Sequence, residues 1–192
     1  MKDGPEEKSL RERLIEAGIE EINVSGFRDF SVRRIAGRCG VSCAAPYKHF
    51  ADKQSYILAI LEHINEDWAA RQAAVAARYP GSYRTQLIET CLEYIRFMVE
   101  NPYFRSVILL KYEDYDRRYS SVRNKLTLPI YEIADGFCRE VGMPEDVKLQ
   151  KKYILRSLIY GAALMFDNGE LAYNRENMDM VADSIRQEFS RL

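Results

Sequence analysis

From Ser31 to Lys53 the chain reads SVRRIAGRCGVSCAAPYKHFADK, and this run constrains the fold more tightly than any other stretch. Val32, Ile35, Ala36 and Cys39 recur at the spacing of one face of an α-helix. Ser31, just before them, has the hydroxyl that caps a helix start by accepting from an unpaired backbone N–H. Ala36 is small where a second helix must cross closely, and Gly40 stands where a tight turn demands a positive φ that glycine adopts at little cost. Val41 fills the angle. Ser42 is then expected to cap a second helix over Cys43–Phe50, anchored by Tyr47 and Phe50. Pro46 falls in the first turn of that helix, where a missing N–H removes only the first intrahelical bond. The pattern is a helix-turn-helix. Its second element offers Cys43, Ala44, Ala45 and Lys48 to a partner, with Tyr47 and His49 at the flanks, and small residues at the tip allow close approach to the floor of a DNA groove.

The rest of the chain is punctuated into further helices, about nine in all, with no strand expected. An opening helix carries Leu10, Leu14, Ala17 and Ile22 inward. Asp52 caps a long helix reaching Tyr79, with Ile57, Leu58, Leu61, Ile64 and Trp68 at helical spacing, and Pro80-Gly81 ends it. Further helices are expected over about 82–100, 101–112, 119–141 with a bend at Pro129, 144–166 and 175–191. The chain divides into an N-terminal head, 1–53, with a short flexible arm at 1–7, and a C-terminal body, 54–192.

Charge supports the head reading. The chain carries a net charge of −1, which argues against indiscriminate nucleic-acid binding. Between Ser31 and Lys53, however, Arg33, Arg34, Arg38, Lys48 and Lys53 stand against Asp52 alone, a local +4 that leaves −5 elsewhere. A basic head on an acidic body orients a protein toward DNA by one end. No apolar run is long enough to cross a bilayer, and the charged opening MKDGPEEKSLRER does not read as a signal peptide, so a cytoplasmic site is expected. Cys39, Cys43, Cys91 and Cys138 lack paired Cys-x-x-Cys spacing, and reduced, mostly buried thiols are expected.

The run from Leu10 to about His63 resembles the N-terminal domain of the TetR family of transcriptional regulators. The matching pieces are the opening helix, Gly26-Phe27 before Ser31, Val32-x-x-Ile35-Ala36-x-x-x-Gly40-Val41-Ser42, Tyr47-x-His49-Phe50, and Asp52-Lys53. The likeness in motif covers the first third of the chain. It implies a homodimer binding a palindromic double-stranded operator, and phosphate contact by Tyr47, His49 and Lys53 with Ser31 as a further candidate. Arg33 and Ser42 join this DNA-facing set. Lys48 is the expected base reader, donating to guanine O6/N7, and Ala44 or Ala45 is placed to touch a thymine methyl.

Two features of the body extend the reading. The segment LIYGAALMF, 158–166, is apolar all round and must be covered on every side. With the stripe of the last helix, Leu158, Gly161, Ala162, Met165, Val181, Ile185 and Phe189 are candidates for a dimer interface; periodicity fits ordinary core helices equally. The body is also rich in aromatics. Tyr94, Phe97, Met98, Phe104, Ile108, Tyr112, Tyr131, Phe137, Tyr160 and Phe166 are candidates to line a cavity for a small apolar or aromatic effector. In the resembled family such a ligand lowers DNA affinity, the behaviour of a repressor.

An enzyme is the rival class. His49 and His63 are the two histidines, and His63-x-x-x-Asp67 is the nearest approach to a metal pair, too few ligands for a site. No Gly-rich phosphate loop, nucleophile elbow or His-Glu-x-x-His is present, and no cofactor motif. A helical ligand-binding or interaction module without specific DNA binding is the other alternative.

Overall fold

The computed structural model describes residues 8–26, 28–102 and 117–189, and among these residues it holds seven α-helices, one 3₁₀ turn and no strand. The chain separates into two compact units, 1–66 with 112–122, and 67–111 with 123–192. The first unit therefore keeps residues 54–66, which a division at 53/54 would assign to the body.

In the first unit, α1 (Leu10–Ser25) opens with a capping box: Ser9 Oγ accepts from the Glu12 N–H, and the Glu12 carboxylate accepts from the Ser9 N–H at 2.8 Å. Next come α2 (Val32–Arg38), the 3₁₀ turn Pro46–Lys48, and the first part of α3 (Lys53–Arg78). Asp52 caps α3 as expected, accepting from the Ser55 N–H at 2.6 Å. Tyr56 is the hub of this core. Its ring stacks on Phe50 at 4.0 Å between centroids and meets Phe30 edge-on at 5.4 Å, while its hydroxyl donates to the Leu14 carbonyl at 2.5 Å. Gly18 is needed for close approach of α1 and α3: a Cβ there would lie 2.5 Å from Ile60 Cδ1.

The second unit holds the remainder of α3, then α4 (Tyr83–Glu100), α5 (Arg117–Glu140, from Arg123), α6 (Glu145–Asp167) and α7 (Arg175–Glu188). Ser82 caps α4 through the Thr85 N–H, and α5 runs through Pro129 without ending. Leu87, Cys91, Tyr94, Ile95, Phe97 and Met98 are buried along one side of α4, with Trp68 of α3 packed on Tyr94 and Phe97. Lys151 of α6 ties α7 through Glu188 at 2.8 Å.

Two expectations need correction. The helix expected over Cys43–Phe50 is only a 3₁₀ turn over Pro46–Lys48, and Ser42 does not cap it with its side chain. Instead the Ser42 carbonyl accepts from the Ala45 N–H at 3.0 Å in a turn, because Pro46 has no N–H with which to close an α-helical bond to that carbonyl. Ala162, Val181, Ile185 and Phe189, candidates for a dimer face, are buried within the single chain; Phe189, for example, packs edge-on against Phe137 at 5.6 Å. Their apolar stripe is satisfied by α4, α5 and α6 rather than left for a partner. The helix expected over 101–112 lies outside the described residues from 103 onward.

Candidate functional site

The turn between α2 and the 3₁₀ segment is built as the spacing requires. Ser31 Oγ accepts from the Arg34 N–H at 3.4 Å, Val32, Ile35, Ala36 and Cys39 are buried, and Gly40 has φ +69°. Arg13 of α1 closes the C-terminal end of α2 by donating from Nη2 to the Cys39 carbonyl at 2.8 Å. This second bond satisfies a carbonyl that the helix leaves open.

Most of the sequence-predicted DNA-facing residues are exposed. Ser42, Cys43, Ala44, Lys48, His49 and Lys53 are exposed, Arg33 is exposed on α2, and Tyr47 is 53% exposed. Ala45 and Ser31 are half-buried. Pro46 and Phe50 point inward instead and anchor the segment to the core. Lys53 lies over the Phe30 ring at 5.9 Å, with its Nζ 3.5 Å from the Arg28 carbonyl. That arrangement holds the start of α3 while leaving the ammonium at the surface.

The charge of the head is distributed differently from the simple count. Glu21 of α1 is fully buried and binds two of the five basic residues. Arg34 Nε donates to Glu21 Oε1 at 2.6 Å and its Nη2 pairs with the same oxygen, while Arg38 Nη2 sits 3.1 Å from Oε2. Arg34 also donates to the Asp29 carbonyl and to Ser25 Oγ. Arg34 and Arg38 are thus structural cations. Arg33, Lys48 and Lys53 remain as the basic residues turned outward. No pattern in the sequence marked Glu21, which is next to Glu20 in an otherwise ordinary amphipathic helix.

In the second unit the aromatic candidates divide. Phe97, Met98, Phe137 and Phe166 are packed core, Phe97 against Trp68 and Phe166 against Tyr173. None of these four lines the cavity or the groove that other described residues form. Phe104, Ile108 and Tyr112 lie outside the described residues. Tyr94, Tyr131 and Tyr160 do come together, around a small, partly open cavity of about 20 Å³ shared with Ile130, Lys152, Leu155, Arg156 and Ile159. Burial pushes the Tyr94 hydroxyl well above the usual tyrosine range, so it stands as a neutral donor, and it has no hydrogen-bond partner among the described residues. An open groove of about 800 Å³ adjoins through Tyr131, Lys152 and Arg156, and adds Asp146, Leu149, Gln150 and Tyr153. Lys152 and Arg156 were missed as lining residues. Their i, i+4 spacing, continued four residues on by Tyr160, places all three on one face of α6 and was the available signal.

Residues 14–60 match the family described as bacterial regulatory proteins, tetR family. Residues 14–60 carry the TetR-family N-terminal domain. Solved structures share the TetR fold along nearly the whole chain. A transcriptional regulator of the TetR/AcrR family from Thermobifida fusca YX-ER1 is 23% identical, with a TM-score of 0.62 over 92% of this chain and 94% of that one. A TetR family transcription regulator from Marinobacter aquaeolei VT8 is 17% identical, with a TM-score of 0.72 over 93% and 94%. A protein of unknown function from Rhodococcus sp. RHA1 is 18% identical, with a TM-score of 0.74 over 97% and 98%. No curated protein sequence matches the chain. The TetR fold is thus established over both units, all-α, and no helix among the described residues is long and apolar enough to cross a membrane.

Proposed function

We propose that this protein is a homodimeric, cytoplasmic DNA-binding repressor that recognises a palindromic operator and is released by a small ligand held in its second unit. The observation that carries the reading is the TetR-type turn around Gly40, followed by a short 3₁₀ segment that leaves Cys43, Ala44, Tyr47, Lys48 and His49 exposed together. Lys48 donates to guanine O6/N7, and Ala44 or Ala45 meets a thymine methyl. Tyr47, His49 and Lys53 contact phosphates, with Arg33 and Ser31 at the edge of the same surface. Two such heads in a dimer, about 34 Å apart, enter successive major grooves of a palindrome.

The dimer reading rests on the apolar side chains that α6 and α7 leave outside. Leu164, Met165 and Met180 are exposed, and Gly161 beside them allows close helix approach. Burying such a face against its symmetry mate removes apolar surface from water on both copies at once. The ligand reading rests on the tyrosine-lined cavity and its adjoining groove. Release requires the ligand to bind the DNA-free state better than the DNA-bound one, and the same coupling factor must appear in both directions.

The testing experiment is anisotropy of labelled genomic fragments with wild-type, Lys48→Ala and Lys53→Ala protein. Tight binding to a few fragments supports the reading. Weak, equal binding to all fragments that disappears with added salt supports a helical ligand-binding module instead.

A further inference from the structure

The cavity and groove of the second unit share one cation, Arg156, that has no carboxylate partner among the described residues. Lys152 is already paired: its Nζ lies 2.6 Å from Asp135 Oδ1, an oxygen it shares with Lys148 at 3.2 Å. Arg156 is different. Among the described residues no carboxylate comes within ion-pair distance of its guanidinium, which lies over the Tyr160 ring at 5.2 Å. Arg156 is an exposed residue where cavity and groove meet, since both are lined by Tyr131, Lys152 and Arg156. Behind it, the buried Tyr94 hydroxyl lines the cavity and lacks a hydrogen-bond partner. A buried donor left unpaired is costly, so its natural complement is an acceptor delivered from outside.

We propose that the site binds an organic monoanion, a carboxylate carried on an apolar or aromatic body, with the carboxylate held between Arg156 and Tyr94. The cavity of about 20 Å³ has room for little more than one water-sized group, which suits a single carboxylate oxygen and excludes the body. The body then lies in the groove of about 800 Å³ against Leu149, Tyr153 and Tyr131. One unpaired guanidinium matches one negative charge. A phosphate monoester would bring a second charge for which the described lining holds no further cation without a carboxylate partner. This inference deepens the ligand-released reading above and rests on it for the identity of the site as the effector's.

Trp68 supplies the readout, since it is the single tryptophan and its ring lies 4.9 Å from that of Tyr94. The full chain is titrated with decanoate and phenylacetate, with the matched alcohols decanol and 2-phenylethanol, and with inorganic phosphate. Tryptophan fluorescence is followed, with calorimetry as a check on stoichiometry. Saturable binding of at least one carboxylate is expected, tenfold or more tighter than its alcohol. Arg156→Gln should remove that preference, Arg156→Lys should retain part of it, and Tyr94→Phe should weaken the carboxylate several-fold while leaving the alcohol unchanged. Equal binding of carboxylate and alcohol, binding unaffected by Arg156→Gln, or no saturable binding of either carboxylate overturns the proposal. DNA release is measured separately on a selected fragment. Carboxylate binding without release overturns the release reading and leaves the anion site standing, whereas release by the alcohols alone does the reverse.

Discussion

Arg34 of α2 reaches back to the fully buried carboxylate of Glu21 on α1, its Nε donating to Oε1 at 2.6 Å. These two residues on separate helices form the clamp that sets α2 against α1. Removing one partner from a buried ion pair strands the other, typically at about 3–5 kcal/mol. Arg38 still reaches the other oxygen of Glu21, so Arg34→Met is expected to cost less, about 2 kcal/mol in urea unfolding. Adding Glu21→Gln in the same chain should recover most of that loss. A double variant no more stable than Arg34→Met alone contradicts the clamp.

Lys48 and Lys53 are both exposed, and the account gives them different work. Lys48→Ala should cost about 1–3 kcal/mol on the preferred site and relax base preference. Lys53→Ala should weaken all sequences alike and reduce the salt slope by about 1. Competition binding against a single-base-pair variant series separates the two. Identical profiles for both variants contradict the assignment.

The cysteines offer a chemical footprint of the same surface. Cys43 is exposed, whereas Cys39, Cys91 and Cys138 are buried, and burial pushes all three of those thiols up. Iodoacetamide at neutral pH should therefore modify Cys43 first, because the thiolate is the nucleophile and the buried thiols stay protonated. A bound operator fragment should slow that reaction tenfold or more, read by mass spectrometry of the peptides. An unchanged rate at Cys43 contradicts its place in the interface.

The apolar end of α6 is the test of assembly. Leu164→Glu or Met165→Glu places a charge on an exposed face, so the fold of the single chain should be kept. Dimer dissociation should strengthen by at least tenfold, about 1.4 kcal/mol, by sedimentation. DNA affinity should fall with it. A variant that sediments as the wild type contradicts this face as the interface.

Much of the first unit was legible because its signals are local. Ser31, Gly40 and Asp52 each dictate the geometry of their own few bonds, and the buried positions of α2 follow from helical spacing alone. Pro46 was legible as a residue but misjudged in effect: the bond it removes was enough to turn the start of the second helix into a turn and a 3₁₀ segment. Glu21 was not legible, since its partners lie thirteen and seventeen residues away and only the packing of α1 on α2 brings them within reach. The same holds for the body. Val181, Ile185 and Phe189 carry the stripe of an interface helix, yet their partner is the chain itself, a choice that periodicity does not encode. The cavity needed Tyr94 of α4 beside Arg156 of α6, sixty-two residues apart.

The central claim is sequence-specific binding of DNA by a symmetric pair of heads. Its most direct test is capture of fragments from the source genome by the purified protein, sequenced across a series of salt concentrations. The account predicts enrichment of a palindrome whose half-sites are about 10 base pairs apart or a multiple of that, persisting as salt rises. Capture of unrelated fragments alone, lost uniformly with salt, contradicts it.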